Sequence, residues 1–168
     1  MEIDLDLVDS TALPALAALA QLYQYDFSEI EGGVTGLDGR YRYLDDLEDR
    51  LRHPGAAAWL FRVTDPQFHV GTLAGFAIVL PITDGSADQA IDEFFVLRKY
   101  RRLGVGRAAA TAIMSAIPGR WVIQGTRNNA GAKAFWGRVV DDIAIGTASV
   151  AEDPSVTYPA WGFRFQVG

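Results

Sequence analysis

The stretch from Glu93 to Arg107, Glu-Phe-Phe-Val-Leu-Arg-Lys-Tyr-Arg-Arg-Leu-Gly-Val-Gly-Arg, constrains the fold of this chain more than any other. It begins as an apolar strand, passes through a strongly basic connector and ends in two glycines. These open a run with helical spacing, Val105, Ala109, Ile113 and Ile117. The reading is therefore strand, basic turn, helix start. A helix N-terminus leaves several backbone N–H groups unpaired and carries a partial positive charge, so this connection is suited to hold a phosphate or pyrophosphate. Gly104 and Gly106 lack a β-carbon and tolerate both positive φ and close approach of a ligand, while Arg101, Arg102 and Arg107 add charge-assisted donors.

Gly104-Val105-Gly106-Arg107-Ala108-Ala109 also fits the G-x-G-x-x-A form of a dinucleotide fingerprint. That fingerprint needs glycine directly after an apolar strand and an acidic residue about 20 positions later. Here the residues before Gly104 are mostly basic, and the region near Thr126 offers Arg127 but no carboxylate. A nicotinamide site is therefore not the reading.

Arg101-x-x-Gly104-x-Gly106 directly after the strand Phe94 to Leu97 resembles the acetyl-coenzyme A binding motif of the GCN5-related N-acetyltransferases, the GNAT superfamily. Asn129-x-x-Ala132-x-x-Phe135-Trp136 is similar to a later motif of that family. The resemblance covers Val70 to Val140 well and the N-terminal third in layout only. It implies a single domain over 1–168 with an α/β (α+β) GNAT fold, a central mixed, mostly antiparallel sheet of about seven strands with helices on both faces. It also implies acetyl-coenzyme A as acyl donor, with no metal, and transfer of acetyl to a primary amine by direct attack.

Composition sets the outer bounds. With 168 residues, nearly half of them hydrophobic, one domain with a substantial core is expected and disorder is not. There are no cysteines, which excludes disulfides, thiolate metal sites and a cysteine nucleophile. A net charge of −6 argues against a nucleic-acid partner, since the basic residues are concentrated at 98–107. The N-terminus is acidic and shows no targeting signal, and no apolar run could span a bilayer, so a cytoplasmic protein without membrane attachment is the expectation.

Taken in order, Ile3 to Val8 alternate as a strand, and Ser10 or Thr11 is placed to cap a helix with Pro14 in its first turn. Leu16, Ala20, Tyr23 and Phe27 keep one face of that helix, with Tyr23 and Phe27 read as core. The helix is expected to fray near Asp26, leaving an acidic, glycine-interrupted loop to Asp38. Leu44, Leu47 and Leu51 mark a short helix, and Ala57 to Val63 and Val70 to Leu80 two strands, the second with Gly75 as a bulge. Ala90 to Leu97 is the next strand and Trp121 to Gly125 the fifth. Asn128-Asn129 opens a helix carrying Ala132, Phe135, Trp136, Val139 and Val140, and Ile143 to Val150 and Trp161 to Gln166 close the chain as strands.

Within the resemblance, the donor is bound by Phe94, Phe95, Val96 and Leu97 of the strand, by Arg101, Arg102, Leu103, Gly104, Val105, Gly106 and Arg107 of the loop, and by Asn129, Phe135 and Trp136 of the later motif. Strand N–H groups freed from the neighbouring ladder would pair with the pantetheine amides and the acetyl oxygen. Glu93 is the catalytic base, working through water; Gln124, at the family's second base position, cannot act as one. Trp136 stands where many members carry a tyrosine that protonates the departing thiolate. An indole N–H is no acid at neutral pH, so the general acid is unassigned, with Tyr158 a weak candidate. Tyr25, Glu29 and Glu31 lie on the acceptor side and suit a cationic small amine. His53 and His69 have no partner spacing for a metal or a triad. A homodimer through the C-terminal strands is left open, as are a longer acyl donor and, from another class, a coenzyme A binding or sensing domain without catalysis.

Overall fold

The computed structural model describes residues 2–168. Its elements are β1 (Ile3–Leu7), α1 (Leu13–Glu31), α2 (Leu47–Leu51), β2 (Ala57–Thr64), β3 (Gly71–Pro81), β4 (Gln89–Val96), a 3-10 turn (Arg98–Tyr100), α3 (Val105–Ala116), β5 (Gly119–Gly125), α4 (Ala130–Ile143), β6 (Ile145–Glu152) and β7 (Trp161–Val167). The strands hydrogen-bond in the order β1-β2-β3-β4-β5-β7-β6, a seven-stranded sheet. Pairing is antiparallel for β1 with β2, β5 with β7 and β6 with β7, and parallel for β4 with β5. The mixed, mostly antiparallel sheet is the one expected. The chain divides into two compact units, Met1–Ile78 with Glu93–Gly106, and Val79–Asp92 with Arg107–Gly168.

The first unit is organised by an aromatic cluster. Tyr23 of α1 packs edge-on against Phe76 of β3 and Phe95 of β4, with centroids 5.9 and 5.7 Å away, and Phe27 lies 5.3 Å from Tyr23. Such tilted and T-shaped pairs set ring edges against ring faces and add to the stabilisation from burial. The helix starts differently from expectation, because Asp9, not Ser10 or Thr11, accepts the N–H groups of Thr11 and Ala12 at 2.9 and 3.1 Å. Pro14 lies in the first turn as the sequence suggests. Instead of fraying at Asp26, α1 continues to Glu31 and ends at Gly32, φ +74°, whose N–H bonds Ser28 C=O at 2.8 Å. The Tyr23–Phe27 packing holds this last section, and two of the carboxylates that suggested a loop, Asp26 and Glu29, have cationic partners.

Residues after Gly32 are tied back to α1 through side-chain amides. Gln21 exchanges two hydrogen bonds with the backbone of Tyr41, 3.0 and 2.9 Å, and buried Gln24 accepts Tyr43 N–H at 2.9 Å. Leu44, read as the start of a helix, is a buried turn residue; the helix itself begins at Leu47. Gly75 sits inside β3, where a β-carbon would lie 2.0 Å from Phe95 O and 2.9 Å from Phe61 Cδ2. The close approach of β4 explains the glycine.

In the second unit, β5 pairs with β7 along its whole length, from Gly119↔Val167 to Gly125↔Trp161. Trp121 is fully buried and donates its indole N–H to Ile117 C=O at 3.1 Å. Helix α4 packs on β7 and β5 through Trp136, Val139 and Val140, and it runs through Ile143, where a strand was expected to start. The indole of Trp161 occupies the space over Gly125, where a β-carbon would come within 2.0 Å of the ring.

Candidate active site

The basic connector after β4 is held between carboxylates of its own unit. Asp26 of α1 binds Arg98 Nε through Oδ1 at 2.7 Å and pairs through Oδ2 with Arg101 Nη2. Arg98 also reaches Glu29 at 3.5 Å. Arg101 donates Nε–H to Val96 C=O at 2.7 Å, with its guanidinium 5.6 Å from the Phe95 ring centroid. On the other side, Asp65 in the β2–β3 turn takes Lys99 Nζ and the Tyr100 hydroxyl on one oxygen, each at 2.7 Å. Its second oxygen accepts the N–H groups of Gln67 and Phe68 at 2.9 and 3.1 Å. Lys99, then Tyr100, hold the Asp65 carboxyl far below the usual carboxylate range; the same bond raises the Lys99 ammonium and, with burial, the Tyr100 phenol.

Directly after this clamped stretch the backbone turns. Arg102 has φ +63° and Gly104 φ +86°, and a β-carbon on Gly104 would meet no atom within 4 Å. Residues 101–104 form a turn that opens α3 at Val105, so the first main-chain N–H groups of α3 lie at the helix start that the sequence pointed to. Leu103 is half-exposed and Val105 is fully buried, anchoring the helix. Arg102 is exposed and in no ion pair among the described residues, while Arg107 pairs with Asp142 at 2.7 Å.

Strand β4 leads into this loop, its ladder with β5 running from Gln89↔Trp121 to Ile91↔Ile123. On its other edge Leu97 N–H bonds Ala74 C=O at 2.8 Å. Side chains alternate as expected, with Ile91, Glu93 and Phe95 buried and Phe94 on the opposite face against Phe61, centroids 5.2 Å apart. The Phe95 ring belongs to the aromatic core, so at Phe95 it is the backbone that is left to meet a ligand.

Glu93 is 4 % exposed, with Arg50 Nη1 at 3.7 Å from Oε1. Arg50 comes from α2, where Asp46 holds Nε at 2.9 Å and the Tyr43 ring lies 5.3 Å from the guanidinium. A buried carboxylate beside an arginine has its charge balanced in place. On the acceptor side, Tyr25 and Glu29 are exposed on α1 and Glu31 is its half-buried last residue. His53 and His69 are both exposed, and among the described residues no group of side chains could hold a metal ion. No helix among them is long and apolar enough to cross a membrane.

In the second unit Asn129 caps α4, its Oδ1 accepting Ala132 N–H at 3.0 Å. Phe135 and Trp136 pack as a T-shaped pair 4.9 Å apart, and Trp136 is buried. Tyr158 is exposed in the β6–β7 connection, and β6 is exposed along almost its whole length. Asp65 and Arg50 had no place in the sequence reading, and Asp26 entered it only as the start of an acidic loop. An Asp-Pro pair after a strand signals a turn in which aspartate bonds its own backbone, which is half of what Asp65 does. Its partners 34 and 35 positions away leave no local trace.

Comparison with known proteins places this geometry. A family model described as the acetyltransferase (GNAT) family matches residues 16–141. A search of curated proteins finds no match. Among solved structures, an acetyltransferase from Thermus thermophilus aligns over 100% of this chain and 98% of its own, with 17% identity and a TM-score of 0.68. A GNAT-family acetyltransferase from Staphylococcus aureus aligns over 99% and 100%, with 12% identity and a TM-score of 0.62. A putative streptothricin acetyltransferase from Bacillus anthracis, in complex with acetyl coenzyme A, aligns over 100% of both chains with 15% identity and a TM-score of 0.56. At these identities the likeness is one of fold, whereas the family match spans well over half of the sequence. The chain belongs to the acetyltransferase (GNAT) family.

Proposed function

We propose that the protein is an N-acetyltransferase that moves acetyl from acetyl-coenzyme A to a primary amine. The observation that carries the reading is the turn directly after β4 that opens α3, with Arg102 and Gly104 at positive φ and open space at Gly104. These residues fit the donor. The N–H groups at the start of α3 suit its pyrophosphate, Arg102 is an exposed cation available for phosphate, and the backbone of β4 that leads into the loop suits the amides of its pantetheine arm. The Bacillus anthracis relative was solved with acetyl coenzyme A, which supports the same donor here.

The acceptor amine must be neutral to attack the thioester carbonyl. Its nitrogen forms the C–N bond, the C–S bond breaks, and the amine proton must leave. Glu93, the buried carboxylate of β4, takes that proton through a water, while Arg50 compensates its charge before the transfer. Strand N–H groups stabilise the carbonyl oxygen as charge develops on it. Trp136 is buried and cannot act as an acid, so water protonates the departing thiolate. The acceptor side is assigned to Tyr25, Glu29 and Glu31 and to a cationic amine, with the pairing of Glu29 to Arg98 weakening that attraction.

The test is a thiol-release assay over a panel of amines, with Glu93→Gln measured against pH on whichever amine turns over. Loss of about 10²-fold or more in kcat is expected. An unchanged rate and pH profile would remove Glu93 as the base. Coenzyme A binding without turnover of any amine would favour a binding or sensing role, the reading that buried Trp136 in the tyrosine position supports.

A further inference from the structure

The stretch Arg98 to Arg101 is gripped from two sides by carboxylates that lie outside the loop motif. Asp26 takes its first and last residues, Arg98 and Arg101; Asp65 takes the two between them, Lys99 and Tyr100. Asp65 is 1 % exposed and Tyr100 5 %, so this side of the grip is buried. Lys99 also lies 4.8 Å from the centroid of the Phe68 ring, which adds a cation–π contact. The next residue, Arg102, has φ +63°, a conformation that a side chain other than glycine disfavours and that persists only where the surroundings impose it. Beyond it the chain is anchored again by Val105, fully buried at the start of α3. The backbone from Arg102 to Gly104 is thus a short span between two fixed points, and one of these points is the carboxylate grip.

We propose that Asp65, with Asp26 as its counterpart, is a positioning residue for donor binding. It fixes the 3-10 turn so that Arg102 is kept at positive φ and the N–H groups of 102–106 converge on one phosphate. The inference rests on the reading of this loop as the donor site. On this account Lys99 and Arg101 serve the loop's shape, and Arg102 supplies its charge toward the ligand. Loosening the turn lets Arg102 relax to negative φ, which turns the neighbouring peptide planes and disperses the donor array.

Titration calorimetry with coenzyme A alone as probe, alongside steady-state kinetics, tests this on native protein, Asp65→Asn and Tyr100→Phe. Asp65→Asn is expected to weaken coenzyme A binding and raise the donor KM by about tenfold, with kcat and the acceptor KM within about twofold. Tyr100→Phe removes one hydroxyl and keeps the ring, so it should fold even where Asp65→Asn does not; the same change, smaller, is expected. The double variant should fall short of the product of the two, because both act on one contact. A merely structural role would lower the melting temperature and leave coenzyme A affinity of the folded protein unchanged, and that result overturns the inference alone. Native protein that does not bind coenzyme A would overturn both the inference and the functional reading beneath it.

Discussion

Replacing Gly104 with alanine separates what the fold asks of this position from what the donor asks of it. Gly104 has φ +86°, and a β-carbon built there meets no atom within 4 Å, so the methyl group is accommodated without a clash. The cost to stability is therefore backbone alone, about 1–2 kcal/mol for an L-residue in the left-handed region. For a chain of this size that lowers Tm by roughly 2–8 °C. Asparagine tolerates the same region better, so Gly104→Asn should lose about half as much. Coenzyme A binding should behave differently, since under the proposed function the space open at Gly104 is the space the phosphate needs. Both variants should weaken it by about tenfold or more, equal to at least about 1.4 kcal/mol. Thermal melts and calorimetry on the three proteins read the two effects independently. Native-like Tm in Gly104→Ala would show that the fold does not enforce positive φ there, and native-like affinity in both variants would show that no ligand comes close to residue 104.

Two further predictions concern the first unit. Gly75→Ala places a β-carbon 2.0 Å from Phe95 O, so β4 must retreat; a loss of roughly 2–3 kcal/mol in urea unfolding is expected, and an unchanged midpoint would refute the close approach. The depressed Asp65 carboxyl stabilises the fold fully at pH values above its ordinary 3.8, and this contribution is lost as pH falls from there through its folded value. Native protein should therefore lose melting temperature more steeply than Asp65→Asn as pH falls from about 5 to 2, and parallel acid limbs would count against the ion pair.

The parts of this protein that were legible in the sequence are those set by neighbours along the chain. Strand alternation placed Glu93 and Phe95 on one face of β4, because successive residues of a strand must point to opposite sides. The glycines on either side of Val105 marked a helix start, and Asn129 marked a cap, since both depend on groups within three or four residues. The two motifs indicated the family that the wider match then established.

What only the tertiary structure decided concerns charges. Read along the chain, Asp26, Glu29 and Glu31 formed an acidic loop and Arg98 to Arg107 a basic patch awaiting an anion. In the fold α1 runs through the first set, and Asp26 and Glu29 meet Arg98 and Arg101, more than seventy residues away in the chain for the Asp26 pairs. Asp65 does the same for Lys99 and Tyr100. The reason is physical. A carboxylate's reach is a few ångströms in space with no fixed spacing in sequence, so composition reports how many charges a chain carries, and only packing determines which are neutralised and which, like Arg102, are left exposed.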